Sequence, residues 1–226
     1  MNKQLALEKQ KQLGISVDRI VWEEYEMLLL SRIFESNFGK DLVFRGGTAL
    51  RLAYGSYRYS DDLDFTQLVD ISAPKFQEWC HDTAKSVPYV ALDEALQKYY
   101  TLYARFVITD PTLERPLGIK VEISRRKKEW RQNEDYILKQ LSSEVTPVTV
   151  LAQVATIAQI EREKESIDPL RVRDIFDLWF IRSQRGESPE MNFGKYSVHE
   201  VRGDLHRLLP QGKWQLLDRW LKKESL

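Results

Sequence analysis

Phe44-Arg-Gly-Gly-Thr-Ala-Leu-Arg-Leu-Ala-Tyr-Gly-Ser-Tyr-Arg-Tyr-Ser-Asp-Asp-Leu-Asp-Phe65 is the stretch of the 226-residue chain that decides the fold. In its first part, an apolar strand over residues 42–44 runs through Gly46, Gly47 and Thr48 into a short apolar helix. Free N–H groups and the positive end of the helix dipole meet at such a turn, and glycine lets a phosphate approach the backbone. The pattern therefore predicts phosphate binding at Gly46, Gly47 and Thr48.

The second part of the stretch carries two carboxylates on alternate residues. The segment Asp62-Leu63-Asp64-Phe65 reads as a strand, so Asp62 and Asp64 share one face while Leu63 and Phe65 share the other. Two such carboxylates repel each other unless a cation lies between them, and hard oxygen ligands suit Mg²⁺ or Mn²⁺. Alone, a glycine pair is usually a turn and Asp-x-Asp usually lies on a solvated strand. Together they indicate a site for a metal and a triphosphate.

Glycine turn, helix and Asp-x-Asp strand, in this order, resemble the nucleotidyltransferase signature of the DNA polymerase β superfamily. The run is more similar still to the AbiEii/AbiGii-type nucleotidyltransferase toxin family, whose members carry Gly-Gly-Thr-Ala-Leu and then Arg-x-Ser-x-Asp-Leu-Asp-Phe. Residues 46–50 and 58–65 match these two segments. By this match, Arg58 and Ser60 join the candidate nucleotide-binding residues, and the resemblance covers roughly residues 20–182.

The resemblance also implies a reaction and its partners. A nucleotide would pass from an NTP to an acceptor hydroxyl, with Mg²⁺ (or Mn²⁺) as the cofactor. The acceptor would be an RNA, with a tRNA 3′ end as one candidate. The physiological role would be that of a growth-inhibiting toxin in a toxin–antitoxin or phage-defence system, neutralised by a cognate antitoxin. Two alternatives stay open: phosphoryl transfer from an NTP to a protein or small molecule, and nucleotide or RNA binding without catalysis.

A third carboxylate lies on a later predicted strand, residues 117–124. Lys120 and Glu122 share one face of it, although a solvated edge strand would show the same pattern. The resemblance places Glu122 as the third metal ligand beside Asp62 and Asp64, where it would also receive the proton of the attacking hydroxyl. Lys120 would face the same cleft and neutralise triphosphate charge.

The second half of the chain contains Arg173-Asp174-Ile175-Phe176-Asp177-Leu178, which matches an Arg-Asp-x-x-Asp-Leu helix of the toxin family. Asp174 and Asp177 are three residues apart, so they project from one helical face. By the resemblance, Asp174 is a catalytic-site residue, Arg173 contacts the nucleotide and Asp177 is structural. A salt-bridge network that links two domains would produce the same pattern.

One segment departs from the family pattern. The family carries Ala-Glu-Lys on the preceding helix, and residues 151–155 take that place here, with Val154 where lysine is expected. Lys120, Lys164 or Arg171 would then substitute, or nucleotide handling would differ.

Composition restricts the class of protein. The chain is 42% hydrophobic and 30% charged, as in globular proteins, and its 34 basic and 34 acidic residues argue against a general nucleic-acid coat. A local basic patch remains, Arg125 to Lys128, with Trp130 available to stack on a base. We expect a cytoplasmic protein without membrane association, because the sequence shows neither a spanning apolar run nor a signal-peptide core.

The predicted fold is α+β, a nucleotidyltransferase-type mixed β-sheet with flanking helices followed by a helical C-terminal domain. The division falls between an α/β core over residues 1–130 and a helical domain over residues 131–226 that closes the cleft. Strands are expected over 42–44, 62–65, 99–109 and 117–124. After Glu134 only helices are expected, over 148–164, 169–182, 198–208 and 213–223.

Overall fold

The computed structural model describes residues 1–126 and 129–223, and its centre is a seven-stranded sheet. The strand order is β3-β4-β5-β2-β1-β7-β6. β2 runs parallel to β5 and β1 parallel to β7, whereas the other neighbours are antiparallel. This mixed sheet confirms the predicted fold class. The strands are β1 (Leu42–Arg45), β2 (Asp62–Gln67), β3 (Val90–Gln97), β4 (Thr101–Ile108), β5 (Leu117–Ser124), β6 (Tyr136–Leu141) and β7 (Val150–Ala155).

Helices surround the sheet and form the end of the described chain. Gly14 ends the first helix in the left-handed conformation, at φ 64°, and the Ser16 hydroxyl accepts a hydrogen bond from the Arg19 amide to begin the second. The helices are α1 (Lys3–Leu13), α2 (Val17–Phe34), α3 (Gly46–Tyr54), α4 (Ala73–Ser86), α5 (Ile157–Glu165), α6 (Val172–Gln184), α7 (Val198–Leu205) and α8 (Gln211–Lys223).

The sheet has one apolar and one polar face where it carries the predicted site. Along β5, Ile119, Val121 and Ile123 are completely buried and pack in the main core, which α2 and α4 cover. The residues between them, Lys120 and Glu122, point to the opposite face. Alternation along the strand therefore separates the residues that hold the fold from those that can meet a ligand.

The C-terminal helices have a core of their own. A second cluster of buried apolar side chains draws only on residues 172–221, and its centre includes Phe176, Phe193 and Leu217. Helices α6, α7 and α8 therefore pack on one another, while Phe180 and Ile181 of α6 also join the main core.

The prediction that only helices follow Glu134 is wrong. Residues 136–141 and 150–155 are strands β6 and β7, and the predicted helix over 148–164 shortens to α5, which begins after Thr156. β7 pairs in parallel with β1, with Phe44 opposite Val154, and both of these side chains are completely buried. Both new strands follow residue 130, so the sheet extends across the predicted domain boundary. Such pairing between distant segments leaves no mark on local periodicity.

Among the described residues, no helix has both the length and the apolar character that a membrane span requires. The two lysines of the predicted basic patch, Lys127 and Lys128, lie outside the described residues.

Candidate active site

Three carboxylates lie together on the adjacent strands β2 and β5. The register pairs Asp62 with Lys120 and Asp64 with Glu122, so all four side chains share the polar face of the sheet. Lys120 Nζ lies 3.6 Å from Asp62 Oδ1. The structure thus brings the three predicted metal ligands to one face, as the sequence predicts.

The pKa of Asp64 reflects the negative charge of this cluster. Burial raises the pKa of Asp64 to about 6, and the negative charges of Asp62 and Glu122 act in the same direction. The positive charges of Arg45 and Lys164 oppose the shift without cancelling it. The carboxylate cluster is therefore short of positive charge at its centre.

The donor chemistry of this cluster fits a hard divalent cation. Carboxylate oxygens are the ligands that Mg²⁺ and Mn²⁺ prefer, and a cation would remove the repulsion that raises the pKa of Asp64. Across the described residues, no three His, Cys, Asp or Glu side chains converge closely enough to form a finished metal site. Side-chain rotation of Asp62, Asp64 or Glu122 would have to complete the ligand set.

The glycine pair sits directly against the carboxylate strand. Gly46 has φ +80°, and a Cβ there would lie 2.6 Å from Asp64 Oδ2. A Cβ on Gly47 would lie 2.5 Å from Arg58 Nη2 and 2.8 Å from Ser60 Oγ. Glycine avoids these close contacts at both positions, and at Gly46 it also permits the positive φ. The N-terminus of α3 is consequently held beside Asp64, Arg58 and Ser60.

Thr48 has a different environment from its two neighbours. Its side chain is buried, and its hydroxyl donates a 2.6 Å hydrogen bond to the carbonyl oxygen of Asp62. Thr48 does not contribute to the lining of the cleft described below; it fixes α3 to β2 at the first carboxylate. Lys120 is also outside that lining.

A cleft of about 460 Å³ opens between the carboxylates and the C-terminal helices. This volume lies within the range of small-molecule sites, about 300–1,000 Å³. Nine of the predicted site residues line it: Gly46, Gly47, Arg58, Ser60, Asp62, Asp64, Glu122, Arg173 and Asp174.

Asp174 organises two cations on the helical side of the cleft. It is 1% exposed, with Lys164 Nζ 3.1 Å from Oδ1 and Arg171 Nε 2.6 Å from Oδ2. Burial acts to raise the pKa of Asp174, but the hydrogen bonds and charges of Arg171 and Lys164 prevail and lower it. Asp174 is thus a charged, fully engaged carboxylate, and its two partners both line the cleft.

The positions of Val154 and Lys164 in the structure correct the comparison made with the family pattern. The placement of Val154 at the lysine position is wrong, because Val154 lies in β7 and is buried. The helix that precedes α6 is α5, and it carries Lys164 into the cleft. Of the three substitutes considered, Lys164 and Arg171 line the cleft and Lys120 does not.

Arg58 joins the wall of the cleft to the C-terminal helices. It is 3% exposed and donates two hydrogen bonds to Asp177, from Nε at 2.8 Å and from Nη2 at 2.7 Å. Burial would raise the pKa of Asp177, yet the charges of Arg58 and Lys164 lower it to about 2. Arg173, the other predicted arginine, lies 3.7 Å from Asp61 through Nη1 and Oδ2.

Arg45 is a cleft residue that the sequence reasoning missed, although it directly precedes the glycine pair. Its Nη1 donates to Glu163 at 3.1 Å, and Glu163 also lines the cleft. Within the described residues, the buried Nε of Arg45 and the buried Nε1 of Trp130 have no hydrogen-bond partner. Two residues of the cleft wall therefore each carry a buried N–H donor without an acceptor.

Solved structures similar to this chain share its fold. JHP933 from Helicobacter pylori is 19% identical, covers 93% of this chain and 96% of its own, and superposes with a TM-score of 0.59. MenT4, a nucleotidyltransferase toxin from Mycobacterium tuberculosis H37Rv, is 17% identical and covers 98% of this chain and 88% of its own, with a TM-score of 0.57. No match is found among curated proteins.

The family model for the nucleotidyl transferase AbiEii toxin of type IV toxin–antitoxin systems matches residues 28–216. That range covers most of the chain and includes the glycine turn, all three clustered carboxylates and the cations of the helical side. The chain therefore belongs to the AbiEii nucleotidyltransferase toxin family.

Proposed function

We propose that this protein transfers a nucleotide from an NTP to an RNA hydroxyl in a reaction that depends on Mg²⁺ or Mn²⁺. The observation that carries the proposal is the presence of clustered carboxylates and of cations in one cleft. Asp62, Asp64 and Glu122 line one side, whereas Lys164 and Arg171 line the helical side. Carboxylates for a metal and cations for a triphosphate are the two requirements of nucleotidyl transfer.

The NTP phosphates would lie between the glycine turn and the helical cations. Free N–H groups at the start of α3, beside Gly46 and Gly47, suit an anion. Lys164 and Arg171 would bind further phosphate oxygens, and the unpaired Nε of Arg45 supplies a buried donor on the same wall. Asp174 holds the two helical cations in place, so we assign it a positioning role.

The reaction forms a bond between the acceptor oxygen and the α-phosphorus and breaks the bond to the bridging oxygen of the leaving pyrophosphate. Glu122 would accept the proton of the attacking hydroxyl. Asp62, Asp64 and Glu122 would hold the metal, which when bound polarises the phosphoryl oxygens and stabilises the charge that develops on them. Lys120, which pairs with Asp62, would neutralise part of the negative charge of these three ligands.

The biological setting follows from the family. A toxin of a type IV toxin–antitoxin system implies a cognate antitoxin as the partner in the cell. We propose an RNA acceptor, with a tRNA 3′ end as a candidate, and action in the cytoplasm, where such an RNA and NTPs are both present.

The direct test is to incubate the purified protein with each α-labelled NTP, Mg²⁺ and total RNA. Label should enter RNA and pyrophosphate should be released. Asp64→Asn and Glu122→Gln should each lower the rate by at least about 100-fold. Transfer of label only from the γ-position, to protein or a small molecule, would replace this proposal with phosphoryl transfer.

Metal binding has a readout that is independent of activity. Mg²⁺ that binds only the folded state should raise the melting temperature, by about 2–4 °C for each kcal/mol of binding. The increase should disappear in Asp64→Asn. An equal increase in protein and variant would show that Mg²⁺ binds elsewhere.

A further inference from the structure

The turn between β3 and β4 exposes two aromatic side chains. Tyr99 is 85% exposed and Tyr100 is 51% exposed. Their rings contact each other edge to face, with centroids 4.4 Å apart and an interplanar angle of 88°. The pair therefore offers aromatic surface to solvent in a fixed arrangement, at the tip of a hairpin whose strands are paired through Gln97 and Leu102.

The hairpin tip lies beside the open side of the candidate active site. In the antiparallel register of β4 and β5, Tyr103 is opposite Glu122 and Thr101 is opposite Ser124. Ser124 and Glu122 both line the cleft. Three residues at about 3.3 Å each place Tyr100 about 10 Å beyond the Tyr103–Glu122 row. The aromatic pair is thus close to the carboxylates along the strand direction.

One cation connects the cleft to these aromatic rings. The guanidinium carbon of Arg126 lies 5.3 Å from the ring centroid of Tyr100, and Arg126 also lines the cleft. A second cation lies close by on the same hairpin: Lys98 Nζ is 3.7 Å from the ring centroid of Tyr103, a buried side chain on the same face of the sheet as Glu122. Arg126 therefore places positive charge between the cleft and the hairpin tip.

We propose that Tyr99, Tyr100 and Arg126 form a stacking platform for the single-stranded RNA segment that adjoins the acceptor hydroxyl. The proposal rests on the proposed function only in taking the acceptor to be RNA. Every base presents a π-face to an aromatic ring, and cations beside the rings bind the phosphates, so this combination suits single strands of varied sequence. A duplex would hide its base faces from the platform.

RNA binding without NTP or metal tests the platform separately from catalysis. The probe is a short fluorescein-labelled single-stranded RNA with a free 3′ hydroxyl, and the readout is fluorescence anisotropy. Tyr99→Ala/Tyr100→Ala should weaken binding by about fivefold or more, because the loss of a single base stack already costs about that factor. Tyr99→Phe/Tyr100→Phe should bind within about twofold of the unsubstituted protein, since phenylalanine keeps the ring.

Tyr89→Ala is the matched control. Tyr89 is 54% exposed, close to the value for Tyr100, and precedes β3 at the far end of the same hairpin. Its substitution should leave RNA affinity unchanged. The melting temperatures of all variants should agree, because both tip side chains are largely in solvent.

Two results would overturn the platform. One is equal RNA affinity of the Ala/Ala variant and the unsubstituted protein; the other is no RNA binding by the unsubstituted protein. If the Ala/Ala variant loses RNA binding but the unsubstituted protein transfers no nucleotide, the platform is supported and the proposed function fails. If the platform and the proposed function are both correct, the Ala/Ala variant should have a higher KM for RNA and an unchanged KM for NTP.

Discussion

At Gly47, the absence of a side chain keeps two parts of the site in contact. Gly47→Ala would place a methyl group 2.5 Å from Arg58 Nη2 and 2.8 Å from Ser60 Oγ. Arg58 cannot withdraw freely, because Asp177 holds it through two hydrogen bonds. We expect a loss of about 1–3 kcal/mol in the free energy of unfolding, as for other overpacked sites. Urea denaturation measures this loss.

Gly203→Ala is the control for this prediction. Gly203 lies within α7, and a Cβ there would meet nothing within 4 Å. Alanine should therefore raise stability, by about 0.5–1 kcal/mol, through its better helix propensity. Equal effects of the two substitutions would refute the role of close packing at Gly47.

Within helix α2, two buried glutamates have opposite surroundings. Glu26 is 1% exposed, and its Oε1 has no hydrogen-bond partner in the described part of the chain. Burial raises the pKa of Glu26 well above its ordinary value of 4.5, and the charge of Glu23 adds to the shift. We expect Glu26→Gln to raise the free energy of unfolding near neutral pH by about 1–3 kcal/mol, because glutamine removes the penalty that the raised pKa of this buried carboxyl imposes on the folded state.

The sign of the pH dependence provides a second check on Glu26. Its pKa is raised on folding, so its penalty is absent below about 4.5 and grows as pH rises toward the folded-state pKa. The gain from Glu26→Gln should therefore vanish in acid. Glu23→Gln should instead lower the free energy of unfolding near neutral pH, because Glu23 accepts hydrogen bonds from Arg51 and from Ser143. Denaturation of the Glu26 variant at several pH values measures the expected trend, and denaturation of the Glu23 variant at neutral pH measures the expected loss.

Elements with local signals were predictable, and elements that depend on distant partners were not. Helix α2 and strands β1, β2 and β5 follow from periodicity, caps and alternation. Strand β7 is missed because the apolar run over 148–155 has no decisive period, and only its pairing with β1 makes it a strand. That error also assigned Val154 to the helix before α6, whereas the helix before α6 is α5, which carries Lys164 into the cleft.

On the scale of the whole molecule, the two sides of the cleft differ in how far the sequence reveals them. The carboxylates of Asp62 and Asp64 follow from spacing along one strand. Arg45, Lys164 and Trp130 enter the cleft only through tertiary packing, which no local pattern records. The sheet supplies the carboxylates, helix α5 supplies Lys164, and Arg171 directly precedes α6. The cleft therefore depends on the contact between these two parts.

The buried pair of Arg58 and Asp177 joins these two parts, and its loss should be costly. Asp177 is completely buried, and Lys164 Nζ lies 2.6 Å from its Oδ2 in addition to Arg58. Asp177→Asn would leave the buried Arg58 without its carboxylate partner and Lys164 with Asp174 alone, so we expect a loss of about 3–5 kcal/mol in the free energy of unfolding. Asp93→Asn is the control: Asp93 pairs with Arg105, both side chains are nearly half exposed, and the loss should be below about 1 kcal/mol.

The pH dependence of the same variant identifies the charge as the cause. Folding lowers the pKa of Asp177 from 3.8 to about 2, so its contribution is present above the unfolded-state pKa and is lost as pH falls through about 2. The stability difference between the protein and Asp177→Asn should therefore be constant near neutral pH and shrink below about pH 4. A difference that persists unchanged in acid would mean that the shape of the side chain, and not its charge, joins the sheet to the helices.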